Sequence, residues 1–162
     1  MKEKSLLRGK RILIVDDEPD VLETLEGLLP MCNLVKASAF DEAKKLLESQ
    51  YFDMAILDIM GVNGYGLLEI ATKRQVIAIM LTAHALSPEH TVKSFKGGAA
   101  FYVPKEKLYD IATYLNDVLE AKEQGKKFWW RWLDRMASYY DKRFGTDWRS
   151  SDEDFWKKLD PM

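Results

Sequence analysis

Short aliphatic runs alternate with segments whose apolar residues recur at helical spacing. The runs, in order along the chain, are RILIVD, NLVKASA, FDMAILD, VIAIMLT and AAFYV. After the first run, Leu22, Leu25 and Leu29 are spaced three or four residues apart, which is typical of an amphipathic helix. Repeated strand–helix units of this kind predict an α/β fold with a parallel sheet that helices cover on both faces.

Polar side chains stand where the predicted strands end. The first strand ends in Asp16 and Asp17, the third in Asp58 and the fourth in Thr82, and the fifth runs to Lys105. In such a sheet, ligands bind beyond the carboxyl ends of the strands, so these side chains should converge. Crowded carboxylates cost free energy unless a cation lies among them, and their oxygens suit Mg²⁺. The sequence therefore predicts a Mg²⁺ site, with a lysine and a threonine free to hold phosphoryl oxygens.

Composition narrows the class of protein. The 162 residues, 47% hydrophobic and 31% charged, are enough for one domain with an appendage. A net charge of -2 favours neither direct nucleic-acid binding nor membrane binding. The single cysteine, Cys32, excludes an internal disulfide and fits a reducing compartment. No apolar run is long enough to span a bilayer, and the first residues lack the apolar core of a secretory signal. We therefore expect a cytoplasmic protein.

The polar residues at the strand ends resemble those of a known family. They are Asp16, Asp17, Asp58, Thr82, Ala83, Tyr102 and Lys105. In order and approximate spacing, this set is similar to the receiver domain of bacterial two-component response regulators, the CheY-like domain. The resemblance covers about residues 10–122 and implies a flavodoxin-like, doubly wound, five-stranded sheet of order 2-1-3-4-5.

The resemblance implies a phosphorylation switch. Asp58 is then the phosphoacceptor, which attacks the phosphorus of a phosphodonor, and catalysis is mostly positioning and electrostatics. Lys105, Thr82 and the backbone N–H of Ala83 bind the phosphoryl oxygens. Thr82 and Tyr102 are the switch residues, which remodel a protein-interaction surface after phosphorylation. The donor is a histidine kinase or a phosphotransfer protein, and the downstream protein partner is not identified by the sequence.

The same resemblance assigns the metal ligands. Asp17 would bind Mg²⁺ directly and Asp16 largely through water, with Asp58 and the backbone carbonyl of Met60 completing the protein ligands. Glu18 is a modulator that would contact metal-bound water. The chain would be a phosphoacceptor signalling protein and not an enzyme, because its only chemistry would be self-phosphorylation from a donor and slow self-dephosphorylation.

Two positions depart from the family pattern. Val62 replaces the proline that usually stands four residues after the phosphoacceptor, and Pro104-Lys105-Glu106 replaces the usual Lys-Pro with its cis bond. A cis bond before a non-proline residue costs about 2.5–4 kcal/mol, so we expect the Lys105–Glu106 bond to be trans. His84, two residues beyond the threonine, lies in the family near the phosphoryl group and is a candidate modulator of hydrolysis.

The C-terminal part has a different composition. The chain divides into a lead of residues 1–9, the receiver-like residues 10–122, and an aromatic-rich, helical extension of residues 123–162 without a recognised output domain. All five tryptophans lie in this extension. One helical face of the extension is formed by Trp129, Trp132, Leu133, Met136 and Tyr140.

Three interpretations of the extension remain open from the sequence. Its aromatic residues pack on the receiver or on a second copy, they dock a protein partner according to phosphorylation, or they lie at a membrane interface. The acidic residues Asp134, Asp141 and Asp147 weaken the membrane interpretation. The alternative to a phosphorylated regulator is a receiver-like interaction module that takes no phosphate and acts through this tail. A homodimer is compatible with either.

Overall fold

The strands and helices of the receiver-like region follow the alternation in the sequence. The computed structural model of the protein describes residues 6–83 and 87–159. The strands are β1 (Arg11–Val15), β2 (Asn33–Ala37), β3 (Met54–Asp58), β4 (Ile77–Thr82) and β5 (Phe101–Pro104). The helices of this region are α1 (Pro19–Leu28), α2 (Phe40–Ser49), α3 (Gly64–Lys73), α4 (Pro88–Lys96) and α5 (Ile111–Gln124).

The five strands form one parallel sheet in the order β2-β1-β3-β4-β5. This confirms the fold and the strand order expected from the sequence. The central strand β3 is buried at all of its positions, because helices and neighbouring strands enclose it. In the sheet register, Val15 pairs with Leu57 and Asp58 pairs with Leu81, so the carboxyl ends of β1, β3 and β4 meet at one edge.

Helix starts near that edge are fixed by local chemistry. Pro19 occupies the first turn of α1, where its missing N–H costs nothing. The side chain of Asn63, in the left-handed region with φ 54°, accepts a hydrogen bond from the N–H of Gly66 and caps α3. Ser87 caps α4 by accepting from the N–H of His90 at 3.2 Å. These residues fix where α1, α3 and α4 begin, and therefore where the loops at the strand ends stop.

The chain turns immediately after β5. Pro104 has φ -65° and ψ 139°, which are ordinary extended values, and a 3-10 helix then runs over Lys105–Asp110. None of the peptide bonds in residues 6–83 and 87–159 is cis, so the prediction of a trans Lys105–Glu106 bond is confirmed. Lys105 is therefore the first residue of a helical turn.

The extension continues as helices. Gly125, with φ 69°, ends α5 in a left-handed conformation that suits glycine. It is followed by α6 (Trp132–Phe144), a 3-10 helix over Trp148–Asp152, and α7 (Glu153–Leu159). The Asp152 carboxylate accepts a hydrogen bond from the N–H of Phe155 at 3.2 Å and so caps the last helix.

The extension packs on the receiver surface formed by α4, β5 and α5, which we call the α4–β5–α5 face. Trp132 is 0% exposed, and its ring lies edge-on to Phe95 of α4 with centroids 5.5 Å apart. Its indole Nε1 donates to the backbone carbonyl of Tyr102 in β5 at 2.8 Å. Arg135 of α6 binds the Asp117 carboxylate of α5 through two N–H donors, at 2.8 and 2.9 Å. Packing on the receiver, the first interpretation from the sequence, is confirmed.

An aromatic cluster completes this contact. Tyr140 and Trp148 are buried with ring centroids 4.9 Å apart, and the Tyr140 hydroxyl forms a hydrogen bond with Thr91 of α4. Trp156 stacks on Trp132 at 5.6 Å. Of the predicted helical face, Trp129 is the exception, because it precedes α6 and is only half-buried.

Across the helices that the structure describes, no segment combines the length and the hydropathy that crossing a membrane requires.

Candidate functional site

Three carboxylates converge at the carboxyl edge of the sheet. Asp16 and Asp17 follow β1, and Asp58 ends the neighbouring β3. Each offers an oxygen, and these oxygens all lie within 4.8 Å of one another. Asp16 and Asp58 are buried, whereas Asp17 is exposed, so the cluster is open to solvent on one side. A hard oxygen donor set with room for water is the environment that Mg²⁺ prefers, and these residues fit that ion.

The ammonium group of Lys105 lies among these carboxylates. Its Nζ is 2.8 Å from Asp16 Oδ2, 2.6 Å from Glu18 Oε1 and 3.5 Å from Asp58 Oδ1. The side chain of Lys105 is only 12% exposed, so these ion pairs are partly shielded from water. Lys105 therefore contacts Asp58, but its two shorter contacts are with Asp16 and Glu18.

Burial sets the electrostatics of this cluster. It is the largest influence on Asp16 and Asp58, and it raises the pKa of both carboxyl groups above their ordinary value. Burial alone would lower the pKa of Lys105, but hydrogen bonds to Asp16 and Glu18 outweigh it and raise that pKa. The hydrogen bond from Lys105 lowers the pKa of Glu18. The single charge of Lys105 thus neutralises the carboxylates only in part, so a second cation would stabilise the cluster.

The loop after β3 approaches the carboxylates closely. The N–H of Gly61 donates to Asp58 Oδ2 at 3.1 Å. A Cβ atom at Gly61 would lie 2.4 Å from Asp17 Oδ1, and one at Gly64 would lie 2.3 Å from the Asp58 carbonyl. Val62, which replaces the usual proline, is buried. A side chain at position 64 would therefore clash with the main chain, whereas one at position 61 would force the Asp17 and Asp58 carboxylates to shift.

The other residues expected at the site lie around the same edge. Thr82 is buried at the end of β4, Ala83 follows it directly, and Tyr102 is fully buried in β5. Met60 lies in the turn after β3 with its side chain 70% exposed. His84 lies outside the described residues.

Replacing Asp58 with asparagine should stabilise the protein in the absence of metal. At pH 7 we expect the free energy of unfolding to rise by about 1 kcal/mol, because a buried charge beside other carboxylates is removed while Lys105 keeps Asp16 and Glu18. For a chain of this size, that raises Tm by roughly 2–4 °C. Thermal unfolding in EDTA measures the difference.

The pH dependence of this difference has a definite sign. The folded-state pKa of Asp58 is raised, so the folded protein binds this proton more tightly than the unfolded chain does. Above the folded-state pKa of Asp58, the free energy of unfolding of wild type is therefore lower than that of the variant by the full amount. This difference disappears as pH falls through that pKa toward the ordinary value. A difference between wild type and Asp58→Asn that grows on acidification would contradict this interpretation.

Comparison with known proteins identifies the domain. Residues 12–116 match the family model for the response regulator receiver domain. The chain belongs to this family. The receiver domain is 36% identical over 104 residues to the two-component response regulator ARR18 of Arabidopsis thaliana, a match that covers 60% of this chain and 16% of that protein. It is 34% identical over 102 residues to the response regulator protein PilR of Pseudomonas aeruginosa, covering 59% of this chain and 23% of that protein.

Solved structures agree with this assignment. The CheY-like receiver domain protein from Methanospirillum hungatei JF-1 is 30% identical, with a TM-score of 0.60, and the match covers 70% of this chain and 98% of that one. The Francisella response regulator 1452 receiver domain, at 21% identity and a TM-score of 0.62, supports the fold alone. The chain spans less than a quarter of the length of the two curated regulators named above. The protein is therefore a receiver domain of two-component signalling that carries an additional C-terminal segment.

Sequence reasoning missed three contacts of the receiver domain. It proposed Glu18 as a modulator near metal-bound water and did not foresee the ion pair of Glu18 with Lys105. It also gave no partner for Glu106, which accepts a hydrogen bond from the Tyr139 hydroxyl of α6. The contact of Trp132 with β5 was not assigned either. The tryptophan content of the extension signalled burial, but no pattern in the sequence specified which receiver elements would be covered.

Proposed function

We propose that this receiver domain accepts a phosphoryl group on Asp58 in a Mg²⁺-dependent reaction and thereby switches a protein-interaction surface. The observation that carries the proposal is the convergence of three carboxylates within 4.8 Å of one another, with Lys105 Nζ 3.5 Å from Asp58. Two-component receivers act with histidine kinases or phosphotransfer proteins, and we propose one of these as the donor. We also propose a cytoplasmic location, which the unpaired Cys32 supports.

The transfer step follows from the groups at this edge. An oxygen of the Asp58 carboxylate forms a bond to phosphorus as the P–N bond of a phosphohistidine, or the P–O bond of acetyl phosphate, breaks. The leaving group keeps the electron pair of the broken bond. Lys105, Thr82 and the N–H of Ala83 stabilise the charge on the phosphoryl oxygens, so the chain contributes mainly position and electrostatics.

The acidic cluster supports the metal requirement. Asp16, Asp17 and Asp58, with the backbone carbonyl of Met60, would hold Mg²⁺. When bound, the ion would neutralise part of the charge on the carboxylates and on the phosphoryl group. Lys105, whose amino group lies 3.5 Å from Asp58 Oδ1, would pair with a phosphoryl oxygen after transfer.

The output would run from Thr82 at the end of β4 to Tyr102 in β5. Tyr102 belongs to the α4–β5–α5 face, so a change in its packing would alter the contact between this face and the extension that covers it, and thereby the outer surface offered to a protein partner. The domain would be a phosphoacceptor and not an enzyme acting on a separate substrate. The alternative, an interaction module that takes no phosphate and works through a free aromatic tail, has less support, because Trp132 and Tyr140 of the tail are fully buried on the domain itself.

The test is intact mass spectrometry after incubation with acetyl phosphate and Mg²⁺. We expect the wild-type chain to gain one phosphoryl group, and we expect no gain in EDTA or in the Asp58→Asn variant. Because that variant lacks the nucleophile, it controls for phosphorylation at other residues. No gain in wild type, together with failure to bind beryllofluoride, would contradict the proposal.

A further inference from the structure

The extension reaches the residue that follows the site lysine. The hydroxyl of Tyr139, in α6, donates a hydrogen bond to the Glu106 carboxylate. The amino group of Lys107 lies over the Tyr139 ring, 5.5 Å from its centroid. Burial and the hydrogen bond to Glu106 raise the pKa of Tyr139 to about 12, so the hydroxyl remains a donor at neutral pH. Tyr139 therefore holds the 3-10 helix Lys105–Asp110 at its first turn.

That helix determines where Lys105 points. Lys105 is its first residue, and the proline stands before the lysine, so no proline ring restricts the peptide bond that follows. Lysine has a long side chain with much rotamer freedom, and its amino group can reach the carboxylates only from a limited set of backbone positions. A contact that fixes Glu106 and Lys107 consequently fixes the backbone that carries the amino group.

A second contact holds the strand that leads into this helix. β5 is an edge strand, with β4 on one side and no strand of the described residues on the other. Trp132, which is 0% exposed, donates its indole N–H to the Tyr102 carbonyl at 2.8 Å, three residues before Lys105. The extension thus contacts the chain both before and after Lys105.

The spacing of residues along α6 allows the Trp132–Tyr102 and Tyr139–Glu106 contacts to form at the same time. Trp132, Arg135 and Tyr139 are three and four residues apart, so they lie on one helical face. The middle residue, Arg135, is anchored by its bidentate pair with Asp117, a carboxylate that is only 3% exposed. Bidentate arginine–carboxylate pairs fix orientation as well as distance. α6 therefore cannot slide along the receiver without breaking this pair.

We propose that Tyr139 is a positioning residue for phosphoryl transfer, which acts through Glu106 to hold the helical turn that presents Lys105. The C-terminal extension would thereby supply the constraint that a Lys-Pro bond supplies in the family. This inference rests on the proposed function of Asp58 and adds that the extension is part of the reaction's machinery.

The experiment measures the rate of phosphorylation by acetyl phosphate at saturating Mg²⁺, followed by intact mass. Tyr139→Phe keeps the ring beneath Lys107 and removes only the hydroxyl. We expect the rate to fall about three- to tenfold, which is the effect of one lost hydrogen bond. Tyr109→Phe is the matched control, because Tyr109 lies on the same 3-10 helix but is 76% exposed, and its rate should equal that of wild type.

A double-mutant cycle distinguishes an effect of Tyr139 that passes through Glu106 from a general loss of rigidity in the protein. If Tyr139 acts through Glu106, Glu106→Ala should slow the reaction as much as Tyr139→Phe, and the double variant should be no slower than either. Multiplicative effects would instead indicate two independent disturbances and overturn the inference. Glu106→Gln keeps an acceptor for the hydroxyl and should restore most of the rate.

Tryptophan fluorescence provides a second readout, since all five tryptophans lie in the extension. We expect phosphorylation to change the emission of wild type and to change that of Tyr139→Phe less. If wild type gains a phosphoryl group but Tyr139→Phe reacts at the wild-type rate, the inference fails while the proposed function stands. If wild type gains none, both fail.

Discussion

Replacing Lys105 with methionine is expected to destabilise the metal-free protein by roughly 2–4 kcal/mol. The ammonium group is the cation nearest to the buried Asp16 carboxylate and also contacts Glu18 and Asp58. Methionine fills a similar volume but leaves the buried carboxylates without that charge. Chemical denaturation in EDTA measures the loss, and the rate of phosphorylation should also fall by about 100-fold.

Magnesium should rescue the stability of this variant but not its phosphorylation rate. Because a bound divalent cation replaces the missing positive charge, Mg²⁺ should raise Tm more in Lys105→Met than in wild type. Lys73→Met is the matched control, since Lys73 pairs with Glu69 on an exposed helix surface at 3.6 Å. A lysine at such a site contributes little, so the control should stay within about 0.5 kcal/mol of wild type. An equal loss in both variants would contradict a special role for Lys105.

Trp132→Ala should lower the free energy of unfolding by about 3–5 kcal/mol, which is the second large effect that we expect. The indole is 0% exposed and contacts Phe95, Tyr140 and Trp156, so its removal leaves a cavity at the centre of the contact between the extension and the receiver. The hydrogen bond from the indole to the Tyr102 carbonyl is lost as well. We expect Tm to fall by roughly 10 °C, and we expect limited proteolysis to cut first within α6.

Two further variants define what the tryptophan contributes. Trp132→Phe keeps most of the ring volume and should cost about 1–2 kcal/mol, mainly through the lost hydrogen bond. Trp130→Ala is the control, because Trp130 is half-buried and lies beside Lys126 and Arg131, and it should cost about 1 kcal/mol or less. If Trp130→Ala destabilises as much as Trp132→Ala, the centre of the contact lies elsewhere.

The receiver fold could be predicted from sequence because its signals are local. β3 is a run of apolar residues that ends in Asp58, and the run is continuous since the strand is buried on both faces. The carboxyl ends of parallel strands meet at one edge, so the sequence alone places Asp16 and Asp58 together. The trans Lys105–Glu106 bond was predictable for a similar reason, because its energetics depend on only two residues.

The contacts of the extension could not be predicted in this way. The spacing of Trp132, Met136 and Tyr140 indicates a helix with an apolar face, but many surfaces can cover such a face. The choice depends on pairs distant in sequence, such as Arg135 with Asp117 and Tyr139 with Glu106. The same limit applied to Glu18, whose pairing with Lys105 joins residues 87 positions apart.

The close approach of Gly61 to the acidic cluster has a consequence for which sequence changes the protein tolerates. Any side chain there would place its first carbon 2.4 Å from Asp17 Oδ1 and 2.6 Å from Asp58 Oδ2. Even alanine would have to push a carboxylate aside. In a saturation library selected for signalling, substitutions of Gly61 should therefore be depleted, because they displace carboxylates of the site, while the neighbouring Met60, whose side chain is 70% exposed, should accept many substitutions.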